Sequence, residues 1–291
     1  MLSRLLYLPF VAATIISLYL TFEVDEGYSW YIIPPVVALS AIYFLSPQID
    51  WWWYLRHPPV MNQKLSELIH RMNPFYAALS PEDKKRFQDR VELYVRANAY
   101  ISKGIKEDGV PPDEVVYFVA TCITQLTFGL VDFRLPLFER IVIYPAPFPS
   151  PQFPEHIHAS EIFAEDGVLI FAVHPLMEGI IRPDQYNIGF HEYAQAFIVS
   201  YPDAAYARRE EVNWEILEAI SGFSEEKIRK TIGLDLVDQR AVCIHHFFHF
   251  ARSFREHLPD LYERHRSIFN LDPLRAGSPI VDRRRGDGPL T

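Results

Sequence analysis

Gly189-Phe190-His191-Glu192-Tyr193-Ala194-Gln195-Ala196 sets a histidine beside a glutamate and a glutamine four positions after the histidine, within a run of apolar and aromatic residues. Residues at i and i+4 share one face of a helix, so two imidazoles at that spacing reach a single Zn2+ while a glutamate between them activates water. Here the first imidazole, His191, and the glutamate, Glu192, are present, but Gln195 stands where the second imidazole would be. A primary amide is a neutral, weak oxygen donor for zinc. Taken alone, the octapeptide reads as an ordinary surface or core helix, with Phe190, Tyr193 and the following Phe197 as packing residues.

The segments around it give the fold class. A helix is expected over residues 186–199. Before it stand two β-type runs, Arg140–Tyr144 and residues 167–173, separated by Pro145, Pro147, Pro149, Pro151 and Pro154, and these read as two strands joined by a long surface loop. Further upstream, Ser80-Pro81-Glu82-Asp83 is a helix start with an N-cap, a proline in the first turn and acids after it, followed by Phe87, Val91 and Tyr94 at helical spacing. A second helix opens at Pro111-Pro112-Asp113-Glu114 and continues through Val115, Phe118, Val119, Cys122 and Leu126. Downstream, helices are expected over residues 210–220, 224–232, 237–254 and 259–269. The class implied is α+β, predominantly helical.

The N-terminus has a different character. The chain has 291 residues, 49% of them hydrophobic, and the apolar excess sits in residues 5–22 and 30–49, neither of which holds a charged side chain. About 20 apolar residues suffice for a helix to cross a bilayer. Thr21-Phe22-Glu23-Val24-Asp25 lacks the small-residue pattern of a signal-peptide cleavage site, and a second apolar stretch follows at once, so the reading is a transmembrane hairpin. Arg4 precedes the first span and Arg56 and Lys64 follow the second, whereas the connecting loop carries Glu23, Asp25 and Glu26 and no cation. Cations stay on the cytoplasmic side, which places both termini and the main domain in the cytosol. Trp30, Tyr31 and Trp51-Trp52-Trp53-Tyr54 form the aromatic belt of the second span.

The expected organisation is therefore a hairpin over residues 1–56, a globular domain over 57–275 that begins at the His57-Pro58-Pro59 break, and a disordered basic tail over 276–291. That tail, with Arg283-Arg284-Arg285, offers at most a minor attraction to anionic lipid. A net charge of -9 excludes a nucleic-acid surface on the main domain. Cys122 and Cys243 are the only cysteines and form no disulfide framework. Ser160, Ser200 and Ser221 lack the G-x-S-x-G elbow, and no glycine-rich phosphate loop occurs.

Along most of the globular part the chain resembles the Mlc titration factor A family of zinc-dependent peptidases. The blocks that carry the resemblance are Ser80-Pro81-Glu82, Glu139-Arg140-Ile141-Val142-Ile143-Tyr144-Pro145, the stretch leading to Pro183 and Asn187, the His191-Glu192 helix, Ala241-Val242-Cys243-Ile244-His245-His246-Phe247-Phe248, Leu258-Pro259-Asp260-Leu261-Tyr262 and Asp272-Pro273. Their order and spacing match from about residue 70 to 275. The resemblance implies a zincin-like metallopeptidase domain, here preceded by two spans that the family's compact cytosolic form lacks, in a bacterial-type inner (plasma) membrane. It maps the first zinc ligand onto His191 and the general base onto Glu192, leaves Gln195 at the second ligand, and puts Asp238, one methylene short of the family's glutamate, at the third.

A site missing one of three protein ligands holds zinc weakly or not at all. Compensation by His245, which lies seven residues after Asp238 and stands where the family has glutamate, with His249 on the same face, is the open alternative; His156 and His158 are a weaker loop pair. The first reading is thus a membrane-anchored, catalytically impaired protein that binds or regulates an unidentified peptide or protein. The runner-up is an active zinc peptidase with a compensated ligand set, the strand at residues 168–173 offering its edge to an extended peptide. A purely structural membrane scaffold is the third. The namesake's titration of a repressor does not follow from fold.

The topology has a direct test. Reporter fusions at residue 27 and after residue 64 should report opposite sides of the membrane, the latter cytosolic. An extracytoplasmic signal after residue 64 would overturn the assignment.

Overall fold

The structure, a computed structural model, describes residues 2–104, 111–208 and 210–275. The tail at 276–291, expected to be disordered, lies outside the described residues. The chain divides into two compact units, Met1–Pro59 and Val60–Thr291.

The first unit is a helical hairpin. Helix α1 (Leu2–Glu23) and helix α2 (Ile33–Arg56) are joined by a 3-10 segment, Glu26–Ile32, whose N-cap Asp25 accepts a hydrogen bond from the Gly27 amide at 2.6 Å. Both are long and apolar enough to cross a membrane. Leu8 is 63%, Phe44 75% and Phe22 80% exposed, a wetted apolar surface that a bilayer would remove from water. Hydroxyls within the helices are satisfied internally: Thr14, Thr21 and Ser40 donate to carbonyls four residues back. Ser3 holds the two helices together through its amide and its hydroxyl, which both donate to the Asp50 carboxylate at 2.9 Å.

The second unit is α+β and mostly helical. It opens with α3 (Gln63–Met72), α4 (Pro74–Ala78) and α5 (Pro81–Ala97); the Ser80 hydroxyl caps α5 by accepting from the Asp83 amide at 3.1 Å. A four-stranded sheet follows in the order β1-β2-β4-β3, from β1 (Ala99–Ser102), β2 (Arg140–Tyr144), β3 (Ser160–Phe163) and β4 (Val168–Ala172). β1, β2 and β4 run parallel, with α6 (Asp113–Leu126) crossing between β1 and β2, while β3 is antiparallel to β4. The remaining helices are α7 (Val173–Ile181), α8 (Ile188–Ser200), α9 (Trp214–Ser221), α10 (Glu225–Ile232), α11 (Gln239–His249), α12 (Ala251–His257) and α13 (Pro259–Phe269).

Three expectations are corrected. The proline-rich connection before β4 is not a simple surface loop, because it contributes β3 and an isolated bridge between Phe148 and His158. β4 consequently has a partner on each side and offers no edge; among the described strands the free edges belong to β1 and β3. The helix expected over 237–254 is broken at Phe250, whose backbone leaves the helical region at φ -126°, ψ 38°.

Helix α8 is the centre of this unit. Residues Ile188 to Ala194 and Ala196 to Ile198 are all buried, and the helix packs against α6, α7, α11 and β3. A helix enclosed on all sides is apolar all round, which is why its sequence shows little amphipathic pattern. Its position is fixed at the N-terminal end by the Asn187 carboxamide, which accepts from the Phe190 amide at 2.9 Å, and in the middle by the Tyr94 hydroxyl donating to that of Tyr193 at 3.1 Å.

The approach of α7 to this end is close. A Cβ placed on Gly179 would stand 2.5 Å from the Tyr186 carbonyl oxygen and 2.8 Å from the Asn187 Cα, both backbone atoms that cannot yield cheaply. Gly222 has a different reason to be glycine: its φ of 74° is left-handed, with open space around it. Gly179→Ala should therefore cost about 2 kcal/mol or more by overpacking, and Gly222→Ala nearer 1 kcal/mol from backbone strain alone, read from unfolding of the full chain in lipid nanodiscs. Equal losses would contradict this account.

Candidate functional site

His191 and Glu192 lie in the second turn of α8, and the helix points them in different directions. The His191 ring is fully buried and both its nitrogens are engaged: the Gln195 amide meets Nε2 at 2.8 Å, and Nδ1 faces the Tyr186 hydroxyl at 2.7 Å. With the Gln195 N–H donating, Nε2 spends its lone pair on the amide, and Nδ1–H donates to Tyr186. With the amide turned over, Nε2 would carry its own proton toward the Gln195 carbonyl. In either orientation the nitrogen a metal would take from this helix face is occupied. Burial pushes the imidazolium down to a pKa of about 4, partly countered by the Asp238 charge, so the ring is neutral at neutral pH.

Glu192 turns toward the sheet. It is 2% exposed, and its Oε1 accepts from the Ser160 hydroxyl at 2.7 Å, at the start of edge strand β3. Its Oε2 is buried without a partner among the described residues. Burial pushes this carboxyl up to a pKa of about 7, against the lowering effect of the Ser160 hydrogen bond and with the Glu161 charge adding to the rise. Beside it, Glu161 and His158 form a buried pair at 3.0 Å, and His158 also contacts the His156 carbonyl at 3.1 Å. The loop histidines are thus tied to β3 and to Asp235, which lies 3.7 Å from His156, rather than presented to His191.

Asp238 is the N-cap of α11, the helix that packs on α8. Its carboxylate accepts from the Arg240 amide at 2.9 Å and from the Arg240 guanidinium at 2.7 to 3.1 Å, so both oxygens are held in a fork. His245 and His249 do share a face of α11, with rings stacked at 4.3 Å and 7°. His245 is 1% exposed; its Nδ1 pairs with His246 Nδ1 at 3.2 Å, its ring stacks on Tyr186 at 4.2 Å, and its Nε2 has no partner among the described residues. Burial and the neighbouring histidines hold His245 well below the usual histidine range.

Among the described residues no three His, Cys, Asp or Glu side chains converge to hold a metal ion. As arranged, the candidate donors are engaged with protein partners: His191 Nε2 with Gln195 and Asp238 with Arg240, while the Tyr186 ring contacts both His191 and His245. Tyr186, Ser160, Arg240 and His246 complete the site and were not singled out from sequence for these roles. Only the i+2 spacing of Asp238 and Arg240 carried a local signal. Both thiols are buried and free, and burial pushes that of Cys122 up to about 12, which leaves it unreactive.

The raised pKa of Glu192 has a consequence for stability. Between about pH 4.5 and 7 the folded chain keeps a proton on this carboxyl that the unfolded chain has lost, so stability falls as pH rises through that window and levels off above it. Glu192→Gln, which keeps an acceptor for Ser160, should then stabilise the protein above pH 7 by on the order of 2 kcal/mol and give no such gain at pH 4. The buried histidines act in the opposite sense and cancel in the difference between variant and parent. A gain that does not vary with pH would contradict the assignment.

No protein-family model matches the chain. Over 132 residues it is 27% identical to an uncharacterized protein, slr2042, of Synechocystis sp., a stretch that makes up 42% of this chain and 47% of that protein. The chain thus spans about half the length of the curated relative it matches, and the similarity identifies no activity for either.

Proposed function

We propose that the second unit is a binding or regulatory domain on a zincin-like scaffold of the Mlc titration factor A type, tethered to the cytosolic face of a membrane by the hairpin, whose metal-dependent hydrolysis has been given up. The observation that carries this reading is the Gln195 to His191 hydrogen bond of 2.8 Å, because it supplies a complete protein partner for the nitrogen that zinc would otherwise take. The surroundings support the scaffold: a helix bearing His191 and Glu192, an antiparallel edge strand over the glutamate, and a later helix starting at a carboxylate. β3 pairs only with β4 among the described strands, and the end of it at Ile162 and Phe163, which is less buried than Ser160 and Glu161, is where an extended segment of a partner protein would add as a strand.

One observation favours the alternative, a compensated zinc peptidase: the buried His245 Nε2 lacks a partner among the described residues, and one ring, that of Tyr186, contacts both His245 and His191. Metal analysis separates the two. The full chain purified from membranes is expected to hold far less than one zinc per chain and to hydrolyse no peptide above background. Gln195→His with Asp238→Glu should raise zinc occupancy, and Glu192→Gln on that background should remove any hydrolysis gained while zinc stays bound. One tightly held zinc per unmodified chain, lost on His245→Ala, would replace the binding-domain reading with the peptidase.

A further inference from the structure

Away from Glu192 and the β3 edge, a cavity of about 730 Å³ opens between α3, α4, α6, α7, α11 and α12. That size suits a small organic molecule rather than a few waters. Its walls are largely apolar, with Phe75, Ile180, Phe223, Phe248, Phe250 and Leu274 supplying much of the surface. Its lining residues include amide and guanidinium donors without an acceptor among the described residues. Gln125, 6% exposed, receives the Asn73 amide on its Oε1 at 3.2 Å, which leaves its own NH2 without an acceptor among the described residues. Asn187, 8% exposed, spends its Oδ1 on the Phe190 amide and the Cys122 thiol, and its NH2 is likewise left over. Arg71 and Arg252 are exposed cavity-lining residues that form no ion pair with a carboxylate among the described residues. Against these stand one acidic lining residue, Glu256, the Gln185 Oε1, left over because its NH2 donates to Asp184 at 3.3 Å, the partnerless Nε2 of His245, and His249, whose Nδ1–H donates to the His245 carbonyl at 3.0 Å and whose Nε2 is therefore an acceptor.

We infer that this cavity is a binding site for a small amphipathic carboxylate, an apolar body enclosed by the aromatic walls and an anionic head that takes the unmatched donors of Gln125, Asn187, Arg71 and Arg252. The reasoning is complementarity. A nine-tenths-buried amide with unused N–H groups calls for an acceptor, two guanidinium groups without an ion pair among the described residues call for negative charge, and the apolar lining disfavours a fully hydrated anion such as inorganic phosphate. The inference rests on the cavity and its donors and not on the proposed function, although His245 and His249 line the cavity as well as the candidate site.

The probe is octanoate, with octanol as its uncharged counterpart, each titrated calorimetrically into the full chain in lipid nanodiscs with empty nanodiscs subtracted. Octanoate is expected to bind saturably at one per chain and octanol at least about ten-fold more weakly. Gln125→Glu keeps the acceptor for Asn73 but sets a like charge against the ligand, and should weaken octanoate about ten-fold or more without weakening octanol. Arg71→Ala with Arg252→Ala, both at exposed positions where folding is not at stake, should lower octanoate affinity severalfold, and Glu256→Gln should raise it. Absence of saturable octanoate binding, equal affinity for octanol, or octanoate binding indifferent to the arginine pair would each overturn the assignment.

Discussion

A helix buried along most of its length must find a protein partner for each polar group it brings with it, and α8 brings two, His191 and Glu192, whose ordinary titration ranges lie below pH 7. An unpartnered buried polar group costs on the order of 1 to 3 kcal/mol, a sizeable part of a domain's stability. His191 meets this constraint within its own helix and the turn before it, through Gln195 and Tyr186. Glu192 meets it only in part, through Ser160 on the neighbouring strand, and its other oxygen stays without a partner among the described residues. The two adjacent residues are therefore unequal: the imidazole is neutral and satisfied, while the carboxyl keeps a proton up to near neutral pH.

The same constraint shapes what surrounds α8. Tyr186 precedes the helix and is fully buried, with its hydroxyl on His191 and its ring against His245, so α8 and α11 are joined through one aromatic side chain as well as by direct packing. Gly179 allows α7 to close over this turn without a side chain in the way. On the proposed reading, replacing a zinc-binding histidine by glutamine does more than delete a ligand. It fills the coordination position with a hydrogen bond that a buried imidazole needs in any case, so the scaffold keeps its packing when the metal is gone.

How much of this was legible in the sequence follows from the range of each signal. The Ser80 cap, the bounds of β2 and the proline start of α13 are written in a few adjacent residues and were read where they occur. β3 escaped notice because its four residues sit amid prolines and become a strand only by pairing with β4. α7 was missed because Val173 continues the apolar run of β4 into an equally apolar helix. The break at Phe250 falls inside an uninterrupted aromatic pattern, with no glycine or proline to mark it. In the site, the i+4 relation of His191 and Gln195 was visible. Ser160, 32 residues from Glu192 in the chain, was not, because only the folded sheet brings them together.

The Gln195–His191–Tyr186 row is a hydrogen-bonded chain with a direction. A neutral imidazole donates at one nitrogen and accepts at the other, and a carboxamide donates from one end and accepts at the other, so a half-turn of the Gln195 side chain demands the opposite tautomer of His191 and the opposite role for the Tyr186 hydroxyl. The three groups must reverse together or not at all. The orientation of the partly exposed Gln195 amide, the tautomer of His191 and the role of the fully enclosed Tyr186 hydroxyl are therefore one choice rather than three.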